Sequence, residues 1–131
     1  MMKHKILIVE DNPMNMRLIE MILKSDNYTL LKATDGEEAL DIATREKPAL
    51  VLMDIRLPKV SGLEVVRKLR GNAQLSHTLV IALTAHAMKG DEEKAIEAGC
   101  DSYVSKPIDT RRLPKLVARM LSLRQHGLNP A

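Results

Sequence analysis

Glu10, Asp11, Asp54, Thr84 and Lys106 are the residues of this sequence whose types fit one piece of chemistry. Each stands where a short apolar run stops. Glu10 and Asp11 follow Ile6-Leu7-Ile8-Val9, Asp54 follows Leu50-Val51-Leu52-Met53, Thr84 follows Leu79 to Leu83, and Lys106 comes shortly after Tyr103-Val104. Three carboxylates brought together repel one another and raise each other's pKa. A hard divalent cation removes that conflict, and oxygen ligands with several retained waters suit Mg²⁺. The cation would also shield an incoming phosphoryl group from the acids and stabilise its oxygens in transfer. Lys106 supplies a compact positive charge for those oxygens, and Thr84 offers a hydroxyl donor. Asp54 is then free to act as a nucleophile, forming an aspartyl phosphate. Taken singly, each residue has a plainer reading: an Asp after a strand caps a turn or helix, a Thr ends a strand, and a Lys before Pro107 lies in a loop. Their joint occurrence, in order and each at a strand end, carries the functional reading.

The apolar runs must be strands, and the segments between them read as helices. Ile6 to Val9 is a continuous β-branched and apolar run, as expected of a strand buried on both faces. Asn12 and Pro13 then give a side-chain cap and a proline at the first helical position, with Leu18, Ile19, Ile22 and Leu23 on one stripe. Tyr28 to Ala33 reads as a second strand. Asp35-Gly36-Glu37-Glu38 opens a second helix with capping-box-like spacing, and Pro48 follows its end. After the third strand, Ser61 and Glu64 predict another capping box, with a helix running to Gly71. A Lys- and Glu-rich helix after the fourth strand ends near Gly99, which suits a left-handed cap. The last helix starts near Asp109 and fades around Arg124, but Pro114 would remove a backbone donor there, so it begins later or is kinked. Strands alternating with helices in this way predict an α/β domain with a parallel sheet covered on both faces. Ligands of such sheets gather at the carboxyl ends of the strands, where the five polar residues fall.

Composition narrows the function classes. The 131 residues fit one domain, and 45% are hydrophobic, enough for a core. There is no Phe or Trp, so the core is built from Leu, Ile, Val, Ala and Met, and aromatic platforms for stacking bases are lacking. The net charge of +3 comes largely from Arg111, Arg112, Lys115, Arg119 and Arg124; these read as a solvated helix face rather than a nucleic-acid surface, and no nucleic-acid-binding signature accompanies them. Cys100 is the one cysteine, so no intrachain disulfide can form, which suits the cytoplasm. The apolar stretch after the N-terminus is too short for a signal peptide or a membrane span.

The motifs Ile6 to Asn12, Leu52-Met53-Asp54-Ile55-Arg56-Leu57-Pro58 with Gly62, Ala82-Leu83-Thr84-Ala85 and Val104-Ser105-Lys106-Pro107 resemble those of the response-regulator receiver family, over about residues 4–123. The resemblance implies a flavodoxin-like (βα)5 sandwich with strand order 2-1-3-4-5, a receiver domain over 1–123 and a short tail over 124–131. It implies a two-component phosphorelay protein: Asp54 is the phosphoacceptor, Asp11 a direct Mg²⁺ ligand, Glu10 a second acidic contact through water, and the Arg56 backbone carbonyl a further ligand. A cis bond at Lys106–Pro107 would aim the lysine inward. Arg56 and His86, two residues beyond Asp54 and Thr84, would overhang the phosphoryl group and set its lifetime; neither orients water well, so a long-lived phosphoprotein is expected. Tyr103 stands at the family's aromatic switch position and would act with Thr84. The upstream partner would be a sensor histidine kinase or phosphotransfer protein. The downstream partner would be a protein met by the surface of the fourth helix, fifth strand and fifth helix, whose Lys89, Lys94, Arg111, Arg112, Lys115 and Arg119 favour an acidic surface. The segment Ala87 to Glu93, with Glu97 to Asp101, is similar to receivers of hybrid histidine kinases and to stand-alone regulators of the DivK type. With no output domain in the sequence, the stand-alone form is expected.

Two other readings compete. One is a Mg²⁺-dependent aspartyl-phosphate phosphatase, but such hydrolases place a second Asp two residues after the nucleophile, where this chain has Arg56. The other is a binding module of the same fold that is not phosphorylated, against which every acidic, hydroxyl and lysine position is filled.

Overall fold

A computed structural model describes residues 3–84 and 90–125. Its elements alternate as expected: β1 His4–Val9, α1 Pro13–Leu23, β2 Tyr28–Ala33, α2 Gly36–Glu46, β3 Leu50–Asp54, α3 Gly62–Gly71, β4 Leu79–Thr84, α4 Asp91–Ala98, β5 Ser102–Ser105 and α5 Arg112–Gln125. The strands form one parallel sheet in the order β2-β1-β3-β4-β5, the flavodoxin-like arrangement.

Strand side chains alternate between faces, and this splits the core in two. Leu7, Val9, Val51, Met53, Val80 and Ala82 face one way and pack on Ala39 and Ala43 of α2, Val65, Val66 and Leu69 of α3, and Ala95 and Ala98 of α4. Ile6, Ile8, Leu50, Leu52, Leu79, Ile81 and Leu83 face the other way, onto Met16, Ile19 and Leu23 of α1 and Leu113, Val117, Met120 and Leu121 of α5. Truncating a fully buried member such as Leu52 to Ala costs about 2–5 kcal/mol.

The helix starts explain themselves locally, with one difference from the sequence expectation, at Ser61, and the later start that Pro114 called for in the last helix. Asn12 Oδ1 accepts from the Met14 and Asn15 N–H groups at 2.9 and 3.1 Å, and Asp35 Oδ1 from Glu38 N–H at 2.8 Å. Ser61 Oγ instead accepts from Leu63 N–H, at 3.2 Å, and not from Glu64 N–H. The last helix begins at Arg112, because Asp109 turns its carboxylate onto the Arg111 and Arg112 N–H groups. Those bonds hold the Asp109 carboxyl below its usual pKa, and they place Pro114 in the first turn, where its missing N–H costs nothing. Gly99 closes α4 with φ 112°, the left-handed cap expected of it.

Candidate functional site

The register of the parallel strands gathers the expected residues on one rim. Asp54 is the last residue of β3 and pairs with Leu83, one step before Thr84; Thr84 pairs with Ser105, immediately before Lys106. The Lys106 N–H donates to the Thr84 carbonyl, and Ile55 N–H to the Leu83 carbonyl. Glu10 follows β1, with its N–H donated to the Ala33 carbonyl. The loop after Asp54 returns tightly: a Cβ on Gly62 would lie 2.7 Å from Ile55 Cα and collide with the Asp54 carbonyl, so glycine is required by close approach. The Lys106–Pro107 peptide is cis.

Within the rim, oxygens of Glu10, Asp11 and Asp54 lie within 4.8 Å of one another. Glu10 is 1% exposed and Asp54 3%, while Asp11 is open to solvent. Lys106 Nζ reaches both buried acids, 2.7 Å from Glu10 Oε1 and 3.0 Å from Asp54 Oδ2. The contact with Glu10 is an ion pair rather than an aligned hydrogen bond. The remaining oxygens take backbone donors, Asp54 Oδ1 from Arg56 N–H at 2.9 Å and Glu10 Oε2 from Asn12 N–H at 3.1 Å. Burial pushes the Glu10 carboxyl above its usual pKa, Lys106 and the Asn12 N–H oppose this, and the nearby Asp54 charge adds to it. For Lys106, burial pulls the pKa down, but the attraction of Glu10 and Asp54 together outweighs it and the net direction is up.

Among the described residues, three carboxylates therefore face one ammonium, two of the acids out of water. Buried carboxylates are strongly disfavoured unless paired, and the surplus of negative charge held by hard oxygen atoms is what a small divalent cation relieves. The donor set thus fits Mg²⁺. Thr84 is fully buried, and its Oγ1 has no hydrogen-bond partner among the described residues. A hydroxyl left so at the rim is suited to an incoming oxygen-rich group.

Arg56 and Tyr103 lie outside this inner cluster. The Arg56 side chain is 60% exposed and extends to Asp91, 3.7 Å away, at the start of α4. Tyr103 pairs in register with Ala82, two residues before Thr84 on the same sheet face, and its ring borders a groove with Glu92, Glu93, Ile96 and Glu97. The Glu92 carboxylate beside the phenol raises its pKa. His86 lies outside the described residues, as does Lys89. Sequence reading missed the partners of Arg70, which donates to the carbonyls of Gly99, Ser76 and Thr78 and to Asp101 Oδ2. It equally missed Asp91. Both join residues far apart in the chain, and no local pattern marks such pairs.

A doubly wound five-stranded sheet with an acid cluster and a lysine at its carboxyl rim defines a class of small α/β domains built to handle a metal ion and a phosphoryl group. The family model for the response regulator receiver domain matches residues 6–118, and the chain belongs to that family. It is 45% identical over 120 residues to the polar-differentiation response regulator DivK of Brucella anthropi, covering 92% of this chain and 98% of that one. Among solved structures it is similar to the receiver domain of the sensor histidine kinase PA1611 from Pseudomonas aeruginosa, which has a magnesium ion coordinated in its active-site cleft. That match has a TM-score of 0.84 and 36% identity, and covers 92% of this chain and 98% of that one. The BeF3-activated DrrB receiver domain matches with a TM-score of 0.83 and 30% identity, over 92% and 99% of the two chains. The protein is thus a receiver domain of two-component signalling. Among the described residues, no helix is long and apolar enough to cross a membrane.

Proposed function

We propose that this receiver takes a phosphoryl group on Asp54 from a phosphohistidine donor and uses it to alter the surface formed by α4, β5 and α5. A carboxylate oxygen of Asp54 attacks phosphorus as the phosphorus–nitrogen bond breaks, its electron pair leaving with the imidazole. Lys106 meets the new charge on the phosphoryl oxygens, and the Arg56 N–H keeps the attacking carboxylate in one orientation. Glu10, Asp11, Asp54 and the Arg56 carbonyl would hold Mg²⁺, which supplies charge neutralisation for the transferring group. The observation that carries this reading is Asp54 itself, 3% exposed, with one oxygen on a backbone donor and the other on Lys106, amid two further acids. Its catalysis is confined to its own phosphoryl uptake and loss. A histidine kinase or phosphotransfer protein would be the upstream partner and the cytoplasm the place of action, consistent with the relatives' role in signalling.

Thr84 and Tyr103 would carry the response. The Thr84 hydroxyl, without a partner among the described residues, can turn to the phosphoryl oxygens, vacating space on the face it shares with Tyr103. The surface so altered has two signs. Its α5 part is basic, with Arg111, Arg112, Lys115 and Arg119, as the sequence suggests, and favours an acidic partner. The groove along α4 is acidic, with Glu92, Glu93 and Glu97. Arg56, exposed beside the phosphosite, would cover the phosphoryl group and lengthen its life. The test is labelling by acetyl phosphate with and without Mg²⁺: the natural protein is labelled only with Mg²⁺ and Asp54→Asn not at all. Full labelling of that variant overturns the assignment.

A further inference from the structure

We infer that Asp91 is a positioning residue for the phosphoryl reaction: it holds Arg56 away from Asp54, and Arg56 exchanges Asp91 for the phosphoryl group when one arrives. This rests on the reading of Asp54 as phosphoacceptor. Arg56 is tied to the site by its backbone, since its N–H is the 2.9 Å donor to Asp54 Oδ1. Its guanidinium, however, points to Asp91 Oδ2 at 3.7 Å, across the gap between the β3–α3 loop and the start of α4. One flexible side chain rooted beside Asp54 thus has two anionic destinations.

Charge decides between them. At 3.7 Å the pair makes no hydrogen bond, and although Asp91 is only 17% exposed the arginine is 60% exposed, so the hold on the guanidinium is loose. A phosphoryl group brings about two negative charges and several acceptor oxygens, which a guanidinium binds bidentately. The exchange costs Asp91 the ion pair facing its enclosed Oδ2, which has no hydrogen bond among the described residues, but its place in the chain partly offsets that loss. It is the first residue of α4, where unpaired backbone N–H groups favour a carboxylate, and the preceding Gly90 gives the helix no side-chain cap. Departure of Arg56 frees the start of α4 from the loop that carries the phosphosite. The next residue, Glu92, is the one beside the Tyr103 phenol. The exchange therefore leads from Asp54 to the α4–β5 groove by a route that does not pass through Thr84.

The test is a double-mutant cycle read by beryllofluoride binding with Mg²⁺. Asp91→Asn removes the competing charge and keeps the shape, so the natural Arg56 is available earlier. Affinity for beryllofluoride should rise about two- to fivefold, the range of a loose ion pair. The same substitution in an Arg56→Gln background should change nothing. The Arg56 Nε–H resonance should move on adding beryllofluoride to the natural protein. An unchanged affinity in Asp91→Asn, or an equal rise in both backgrounds, overturns the exchange and leaves the phosphoacceptor reading standing. Failure of the natural protein to bind beryllofluoride with Mg²⁺ overturns both.

Discussion

Lys106 and Glu10 meet at 2.7 Å with the Glu10 side chain fully enclosed, so the lysine has a structural part besides its proposed chemical one. Removing it by Lys106→Met leaves Glu10 and Asp54 buried without their cation. Stability measured by urea unfolding in EDTA should fall by about 2–3 kcal/mol, somewhat less than for a fully buried pair because Lys106 is partly exposed. Added Mg²⁺ should restore more stability to the variant than to the natural protein. The sign with pH is also fixed. The raised Lys106 pKa means that its contribution is whole below the ordinary lysine value and is lost as pH climbs from there through the raised one.

Gly62→Ala should disturb the proposed phosphosite from behind. The new Cβ would press on backbone atoms of Asp54 and Ile55, which cannot yield as a side chain would. A loss of about 2–3 kcal/mol is expected on denaturation, together with weaker Mg²⁺ binding, since the carbonyl being pushed belongs to Asp54. Calorimetric Mg²⁺ titration checks the second part; unaltered binding would show that the loop relaxes elsewhere.

The far end of the sheet depends on Arg70. It bonds three carbonyls and Asp101 Oδ2, and that same oxygen accepts from Val80 N–H at 2.8 Å. Arg70→Ala strands these acceptors and should cost about 2–4 kcal/mol. Arg70→Lys should recover little, because an ammonium cannot span the fork of partners. Comparison of the two variants by guanidinium unfolding distinguishes lost geometry from lost charge.

Cys100 should be silent toward thiol reagents in the folded state. Burial pushes its pKa up to about 12, Arg70 acting against and Asp101 with the shift. A raised thiol pKa leaves folding unaffected below the ordinary value. It weakens folding as pH rises beyond that, by up to about 1.4 kcal/mol per pH unit, because the unfolded chain ionises first. Ellman titration with and without denaturant checks the first statement, and alkaline unfolding of Cys100→Ala against the natural protein checks the second.

What could be read from the sequence followed the range of the interactions concerned. Apolar runs such as Ile6 to Val9 and Leu50 to Met53, and caps such as Asn12 and Asp35, act over a few residues and declared themselves. The rim residues were legible because each ends a strand, and parallel topology converts that shared position into proximity. Pro114 was legible as a conflict, though its resolution needed the Asp109 cap. The Ser61 cap shifted by one residue because the hydroxyl reaches Leu63 N–H first. Arg70 with Asp101, and Arg56 with Asp91, were not legible: each pair spans about thirty residues or more, and its members are ordinary surface types until the fold joins them. The acidic groove on α4 was hidden in a similar way, since the sequence's net positive charge drew attention to α5.

The near absence of aromatic residues has a practical side. With no tryptophan or phenylalanine and only Tyr28 and Tyr103, a Tyr28→Leu protein would draw its whole near-ultraviolet aromatic signal from a single ring on the edge of the α4–β5 groove. The molecule then carries its own optical gauge. Tyrosinate formation, held above the ordinary value while Glu92 adjoins the phenol, would shift toward that value whenever the ring leaves its neighbour, so absorbance alone could follow the groove's state without any attached label.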